Sequence, residues 1–538
     1  MPSHSRRDFV KTTGLALGAM VVPRRVLGMG WQAPSATLNI ALVGAGGRGL
    51  EVISRMTGEN IAAICDVDFP YVERSINGRL RPRSGREPSA ENVALGAAYA
   101  KAVKYGDFRE MFEQEPGIDA VVIATPDHLH APIAMAAMRR GKHVYVEKPL
   151  AYSVHETRLL ARTARETGVV AEMGNQGHSQ EGTRRIVELI ASGVIGPVRE
   201  VHIWTDRPVR FWAQGIPRPG QDEAERAARA AAAQAESRSD AAQGGGAQGA
   251  AAAGARPQTA PPASQSSTET VPPRWNMRTV ERAILREMAA NPQSPPPELD
   301  WDGFLGPAPA IPYHPAYHPF SWRGWVDFGV GALGDMGAHL VDQAYWALGL
   351  EYPTSIVASS TPWGGPADDP ASYPLAMTCQ YEFPARGAQP PVQMYWYDGG
   401  LLPPRPPHLP DDVPLPLGAG GGGVFVGERG ILTYEVYGEK PTVYPASVAA
   451  EAEAVPKSVQ RIEARHELNW VQACKGEAQV SAPFDYSARL TETMLLGLIA
   501  LRVGQGKKIY YDGPNMRITN VPEANALLTR EYRAGWEL

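Results

Sequence analysis

Between residues 37 and 176 the chain reads as short apolar runs separated by longer segments of helical spacing. The runs are "TLNIALVG", "NIAAICDVD", "IDAVVIATP", "KHVYVEKP" and "VVAEMGNQ". Each has strand length and is apolar without strict alternation, as strands buried on both faces are. Between them, "APIAMAAMRRG" and "VHETRLLARTARETG" carry helical periodicity and end on a glycine suited to a C-cap. Strands alternating with helices predict a parallel sheet covered on both faces, an α/β Rossmann domain over 37–176.

From residue 177 the pattern changes. One helix, "EGTRRIVELIASG", precedes "VREVHIWTD"; then come "TSIVASS", "AMTCQYEF", "VQMYWYD" and "VFVGERGILTYEVYG", with turn residues between them. The last forms a hairpin through Gly427-Glu428-Arg429-Gly430. Strands without helices between them predict a largely antiparallel open sheet in an α+β domain over 177–538. Two late helical stretches, "ARHELNWVQACKG" and "SARLTETMLLGLIALRVGQG", are expected to pack back on the first domain. An exposed sheet face would make a homo-oligomer the expected assembly. Residues 221–270 are rich in alanine and contain no Val, Ile, Leu, Met, Phe, Trp, Tyr or Cys. They can bury almost no apolar surface and are read as a disordered low-complexity insert. Residues 401–423 form a proline-rich, then glycine-rich, loop.

Composition narrows the class. A chain of 538 residues, 43% hydrophobic and 20% charged, has the make-up of an ordinary globular protein with room for two domains. A net charge of −5 without long basic blocks argues against nucleic acid as a partner. Cys65, Cys379 and Cys474 are too scattered for a zinc site or a disulfide framework. Residues 1–36 change the address: Arg6-Arg7, Phe9, Lys11 and a short apolar stretch from Gly14 to Val22 read as a twin-arginine signal and linker. The expected location is therefore periplasmic or otherwise extracytoplasmic. The stretch is too short to span a bilayer. No clean cleavage site follows it, so an uncleaved signal is the one route to membrane anchorage.

The first apolar run leads into Gly44-Ala45-Gly46-Gly47-Arg48-Gly49, a G-x-G-x-x-G turn between a strand and a helix. Gly44 suits the tight turn, Gly46 the approach of a pyrophosphate, and Gly49 close helix packing. Gly47 and Arg48 lie in the same turn. Asp66 ends the second run, where a carboxylate accepts from ribose hydroxyls and repels a 2′-phosphate, so NAD(H) is the expected cofactor. In "ATPDHLHA", Thr125, Pro126, Asp127, His128 and His130 sit at the carboxyl edge of the sheet and could border the nicotinamide half, Asp127 also being expected to cap the helix that follows. Asn175 and Gln176, after the fifth run, are placed in reach of the same edge.

"HVYVEKPLA" puts Glu147, Lys148 and Pro149 at the mouth of an apolar layer. A lysine beside a cationic nicotinamide in a desolvated cleft can take or share a hydroxyl proton near neutral pH. The plain alternative, an ion pair with Glu147, is disfavoured because adjacent strand residues face opposite ways. In "GALGDMGAHLVDQAYWALGL", a helix starting at Gly334 would put Asp335, His339 and Asp342 on one face. Such a stripe on an apolar helix is costly unless used. Plain readings remain: an N-capping aspartate with a buried histidine, or a metal held by the three, for which no second ligand cluster is evident; no metal is expected. His178, Tyr317, His318, Trp322 and Arg323 mix flat apolar faces with donors, as carbohydrate sites do, but equally suit a hydrophobic plug between domains.

"EKPLA" after the fourth run, together with the glycine turn and the twin-arginine pattern, resembles the Gfo/Idh/MocA family, the group of glucose–fructose oxidoreductase and inositol dehydrogenase. The resemblance covers about 38–215 and 298–510. It implies that Lys148 reaches the substrate beside the nicotinamide, that Glu147 helps position the cofactor, and that Pro149 is held cis. It also implies Asp335 and His339 as the lysine's partners, His339 as general acid/base and Asp335 as substrate ligand. "GNQGHSQ" departs from the G-[YF]-x-x-R-F pattern of many members, which loosens the substrate class. The expected activity is NAD-dependent oxidation of a hydroxyl on a sugar, polyol or glycoside, with NAD(H) held tightly and recycled. Alternatives are a redox-neutral NAD-dependent glycosidase, a keto-sugar reductase or epimerase, and a non-catalytic dinucleotide-binding protein.

Overall fold

The computed structural model describes residues 37–82, 87–209, 211–219, 294–366, 369–416, 418 and 420–538. The twin-arginine stretch and the alanine-rich insert lie outside the described residues. Six parallel strands form the first sheet: β1 (Asn39–Val43), β2 (Asn60–Cys65), β3 (Val103–Tyr105), β4 (Ala120–Ile123), β5 (His143–Glu147) and β6 (Ala171–Gly174), in the order β3-β2-β1-β4-β5-β6. β1, β4 and β5 are buried almost throughout, as strands with helices on both faces must be. β3 was not predicted: three residues at a sheet edge carry no period to read.

The second sheet has nine strands. They are β7 (Val198–Thr205), β8 (Ser355–Ser360), β9 (Met377–Phe383), β10 (Val392–Tyr397), β11 (Gly421–Gly427), β12 (Ile431–Glu435), β13 (Thr442–Tyr444), β14 (Lys508–Asp512) and β15 (Arg517–Ile518). Their order is β13-β12-β11-β7-β10-β9-β8-β14-β15, antiparallel except where β7 meets β10. β9 buries every second residue, so one face carries the core and the other stays half-buried. The loop expected through residue 423 ends earlier, because β11 takes in its last three glycines.

Two helices join the halves. Phe484–Val503, buried along most of its length, packs on the Rossmann helix Val154–Thr167 through the bidentate pair Arg158–Glu492. Gly331–Ala347 lies against Phe484–Val503 and the nine-stranded sheet, with Tyr434 Oη donating to Leu340 O at 2.8 Å. This second helix carries Asp335, His339 and Asp342, and begins three residues earlier than the sequence pattern suggested.

Candidate active site

The carboxyl ends of β1, β2, β4 and β5 open on one cleft of about 770 Å³, walled on its other side by residues 300–323 and the Gly331–Ala347 helix. At the β1 turn Gly44 has φ +86°, and its N–H donates to Cys65 O at 2.9 Å. An added Cβ there would lie 2.6 Å from Thr125 N. On Gly49 an added Cβ would lie 2.0 Å from Gly44 O, so the helix starts against the turn itself and Gly49 packs rather than lines the cleft. Gly46 and Gly47 line it, and the helix Arg48–Ser54 has no side-chain cap at Gly47. Asp66 lines the cleft and accepts from Ala45 N at 2.6 Å and Asp68 N at 2.9 Å; burial pushes its carboxyl up, against those two bonds.

At the other end β5 separates its last two side chains by simple alternation. Glu147 turns to Arg48, whose Nε donates to it at 2.8 Å, while Arg48 also pairs with Glu51 and Glu467. Arg48 therefore reaches the cleft with its guanidinium committed to carboxylates. Lys148 turns the other way. Its Nζ donates to Asp335 Oδ1 at 2.6 Å and to Asp335 O at 3.0 Å, across the domain boundary. The ion pair with Glu147 is not formed. Lys148–Pro149 is cis.

Arg323 Nε approaches the same Asp335 oxygen at 3.4 Å. Burial disfavours the ionised Asp335, but Lys148 and Arg323 outweigh it and hold the carboxyl well below its usual range. One turn along the helix, His339 faces the cleft, and its Nδ1 lies 3.3 Å from Asn175 Oδ1. That bond assigns the proton to Nδ1 and leaves Nε2 as an acceptor. Burial pushes the imidazole well below its usual value, and nearby Lys148 adds to the effect, so it stands neutral. The inner end thus holds an ammonium, a carboxylate and a neutral imidazole within two helical turns, a set suited to moving a hydroxyl proton.

Thr125, Pro126, Gln176, His318 and Trp322 also line the cleft. Thr125 Oγ1, Gln176 Oε1 and Asn175 Nδ2 are buried without a hydrogen-bond partner among the described residues. These orphaned polar atoms beside a glycine turn and an acidic β2 end fit a dinucleotide that brings donors and acceptors of its own.

Besides Gly49 and Asn175, which stand behind the lining, four expected site residues are not brought to the cleft. His128 is buried and held by Phe328 O and Phe304 O, and burial pushes it down to about 3. His130 bridges Pro149 O and Thr125 O, bracing the turns that do face the cleft. His178 stacks on Trp346 and binds Asp342 at 2.9 Å, with Tyr486 Oη on the same carboxylate at 2.6 Å. Asp342 is therefore a brace. Tyr317 belongs to an aromatic core with Trp325 and Phe328. In each case burial on both sides of a loop took a residue that sequence pattern could place only near the site.

Sequence reasoning missed Tyr437 and misplaced the capping partner of Asp127. Tyr437, left-handed at φ +64°, sets its ring edge-on to His339 at 4.7 Å. Its only sequence signal is the glycine after it. Asp127 does not cap its own helix. Its carboxylate accepts from Val330 N at 3.1 Å, the entry to the Asp335 helix, and it lines the cleft. Burial pushes this carboxyl up to about 7, against the pull of Arg323 and Lys148.

The Asp127 shift gives a signed prediction. With an unfolded value of about 3.9, the folded state keeps a proton that the unfolded state loses, so stability falls as pH rises from about 4 to about 7. Asp127→Asn keeps an acceptor for Val330 N and removes that loss. Relative to the parent it should gain on the order of 2–4 kcal/mol between pH 4 and pH 7.5 by denaturant unfolding. Parallel curves would contradict the assignment.

Residues 38–175 match the NAD-binding Rossmann fold of the Gfo/Idh/MocA oxidoreductase family, and residues 279–361 match its C-terminal alpha/beta domain. These two stretches of the chain are similar to the Gfo/Idh/MocA oxidoreductases. NAD(H) is the cofactor that goes with this Rossmann domain. A glycosyl hydrolase family 109 protein of Shewanella pealeana is 28% identical over 211 residues, 36% of this chain and 44% of the relative. A 1,5-anhydro-D-fructose reductase of Ensifer adhaerens is 35% identical over 124 residues, 22% of this chain and 37% of the relative. The match thus spans less than half the length of these curated relatives. Among solved structures, the WlbA dehydrogenase of Bordetella pertussis in complex with NADH and UDP-GlcNAcA is 14% identical with a TM-score of 0.49. It covers 88% of this chain and 99% of its own.

Proposed function

We propose that this protein, similar to the Gfo/Idh/MocA oxidoreductases, oxidises a hydroxyl of a sugar, polyol or glycoside with bound NAD, and that a second, carbonyl-bearing substrate takes the hydride back so that NAD(H) stays bound between turnovers. The observation that carries the reading is the convergence of Lys148, Asp335 and His339 at the inner end of the dinucleotide cleft. NAD(H), when bound, supplies the hydride acceptor or donor. His339 Nε2 takes the hydroxyl proton as the O–H bond breaks, its neutral state making it a base. Lys148 spends two N–H groups on Asp335 and turns the third to the substrate oxygen as it gains negative charge. Asp335 fixes the ammonium in place. Arg323, its guanidinium 4.2 Å over the Trp322 ring and 4.4 Å over Phe320, offers a planar donor and flat faces to a sugar ring.

The twin-arginine pattern of residues 1–36 supports export of a folded, cofactor-loaded protein, for which recycling of bound NAD(H) is the economical chemistry. The glycosyl hydrolase family 109 relatives favour a second reading, redox-neutral cleavage of a glycoside by the same residues. Incubating the protein with a panel of glycosides while following 340 nm absorbance and free sugar together separates the two. A carbonyl product with matching absorbance supports the oxidoreductase. Free sugar without net absorbance change moves the assignment to the glycosidase. Neither signal from any member of the panel would overturn both.

A further inference from the structure

The cleft continues past the Rossmann residues that a dinucleotide fold supplies. In the strand order β3 stands four places from β5, about 19 Å at the usual spacing. Phe108 and Arg109, which follow β3, therefore mark the end of the cleft away from Lys148, beyond Asp66. There the wall is completed by Trp536. Trp536 as a residue is 8% exposed; its ring lies 6.0 Å from the Phe108 ring and has the Arg109 guanidinium 4.4 Å from its centroid. Arg109 Nη1 also donates to Gly535 O at 3.3 Å.

The segment that carries Trp536 is tied to both sides of the cleft. On the Rossmann side Tyr532 Oη donates to Glu156 Oε1 at 2.8 Å, and Arg530 lies 4.4 Å over the Tyr152 ring. On the opposite wall Arg533 donates to Gly306 O at 2.8 Å and Asp302 O at 2.7 Å, and pairs with the Asp302 carboxylate. That wall returns to the ribose end of the cleft, where Asp300 N donates to Val67 O at 3.0 Å and His318 Nε2 meets Asp68 Oδ2 at 2.8 Å. Residues 300–318 and 530–536 thus form a strap over the end of the cleft marked by Asp66.

We propose that Trp536 and Arg109 form the seat for the adenine ring, and that the 530–536 segment makes release of NAD(H) slow. The proposal rests on the assignment of this cleft to NAD(H) and deepens the reading that the cofactor is retained. A flat indole held from behind by a guanidinium offers an immobile apolar face to a planar base. The seat joins Arg109 of the Rossmann domain to a segment about 430 residues further along the chain, so it forms only when that segment is docked. Release then requires local opening of 530–536, a step whose rate the ties above control.

The test is a chase. Full-length protein is loaded with NADH, excess NAD is added, and the decay of bound-NADH fluorescence is followed. Trp536→Ala should release NADH at least tenfold faster than the parent, and Trp536→Phe should restore most of the slow phase. If Trp536→Ala fails to fold by its melting profile, Arg109→Ala unpacks the same seat from the other side and should act in the same direction. Equal release rates from parent and a folded variant would overturn the adenine seat while leaving the proposed function standing. A parent that takes up no dinucleotide would overturn both.

Discussion

Lys148→Ala should lower turnover by about 10²–10⁴-fold, the range for removal of a positioned acid–base group. The loss has two sources in the geometry. The substrate oxygen loses its ammonium donor, and Asp335 loses the partner at 2.6 Å that holds its charge, keeping only Arg323 at 3.4 Å. His339→Ala should fall in the same range, because the neutral imidazole faces the cleft with a free acceptor nitrogen while the Asp335 carboxylate is engaged by Lys148 and Arg323. The two losses should not add. Residues acting as one unit are non-additive, so the double variant should be little worse than either single one. The rate of NADH formation at 340 nm on protein equally loaded with NAD, after adding the sugar substrate, checks this. A Lys148→Ala variant within a few-fold of the parent would remove the lysine from the chemistry.

Gly49→Ala should abolish dinucleotide binding and destabilise the fold. Helix propensity alone would favour alanine there by about 1 kcal/mol. The sign is reversed because the new Cβ would fall 2.0 Å from Gly44 O, a backbone atom in a turn that cannot retreat without losing its bond to Cys65 O. Gly44→Ala should act similarly, since its φ of +86° is strained for any L side chain and its Cβ would meet Thr125 N. Gly47→Ala is the informative control. Nothing lies within 4 Å of its added Cβ, so the variant should melt like the parent while its methyl intrudes on the cradle and weakens NADH binding. Titration of NADH fluorescence and thermal melting of the three variants separate cradle from fold. Undiminished binding by folded Gly47→Ala would move the pyrophosphate away from this turn.

The division into a parallel and a largely antiparallel sheet was legible because buried parallel strands and half-buried antiparallel strands leave different patterns, as β4 and β9 show. Lys148, Asp335 and His339 could be singled out because an ionisable stripe on apolar elements has a cost that sequence makes visible. What one sequence could not show was which polar residue the second domain would bury. His128 and His130 stand at the right sheet edge, yet carbonyl oxygens hold their ring nitrogens, those of Phe304 and Phe328 far along the chain for His128 and those of Thr125 and Pro149 nearby for His130. Asp127 had the look of a local cap, and its amide partner came from residue 330 instead. Tyr437 and Trp536 reach the cleft only through long-range packing, which no local period encodes.

The most direct test of the account is the absorbance spectrum of the purified native protein, followed at 340 nm as sugars and glycosides are added one at a time. The native protein is expected to carry dinucleotide already, reduced by at least one sugar in a step that is lost in His339→Ala. Native protein that neither carries nor takes up NAD(H), or a parent and His339→Ala that respond alike, would contradict it.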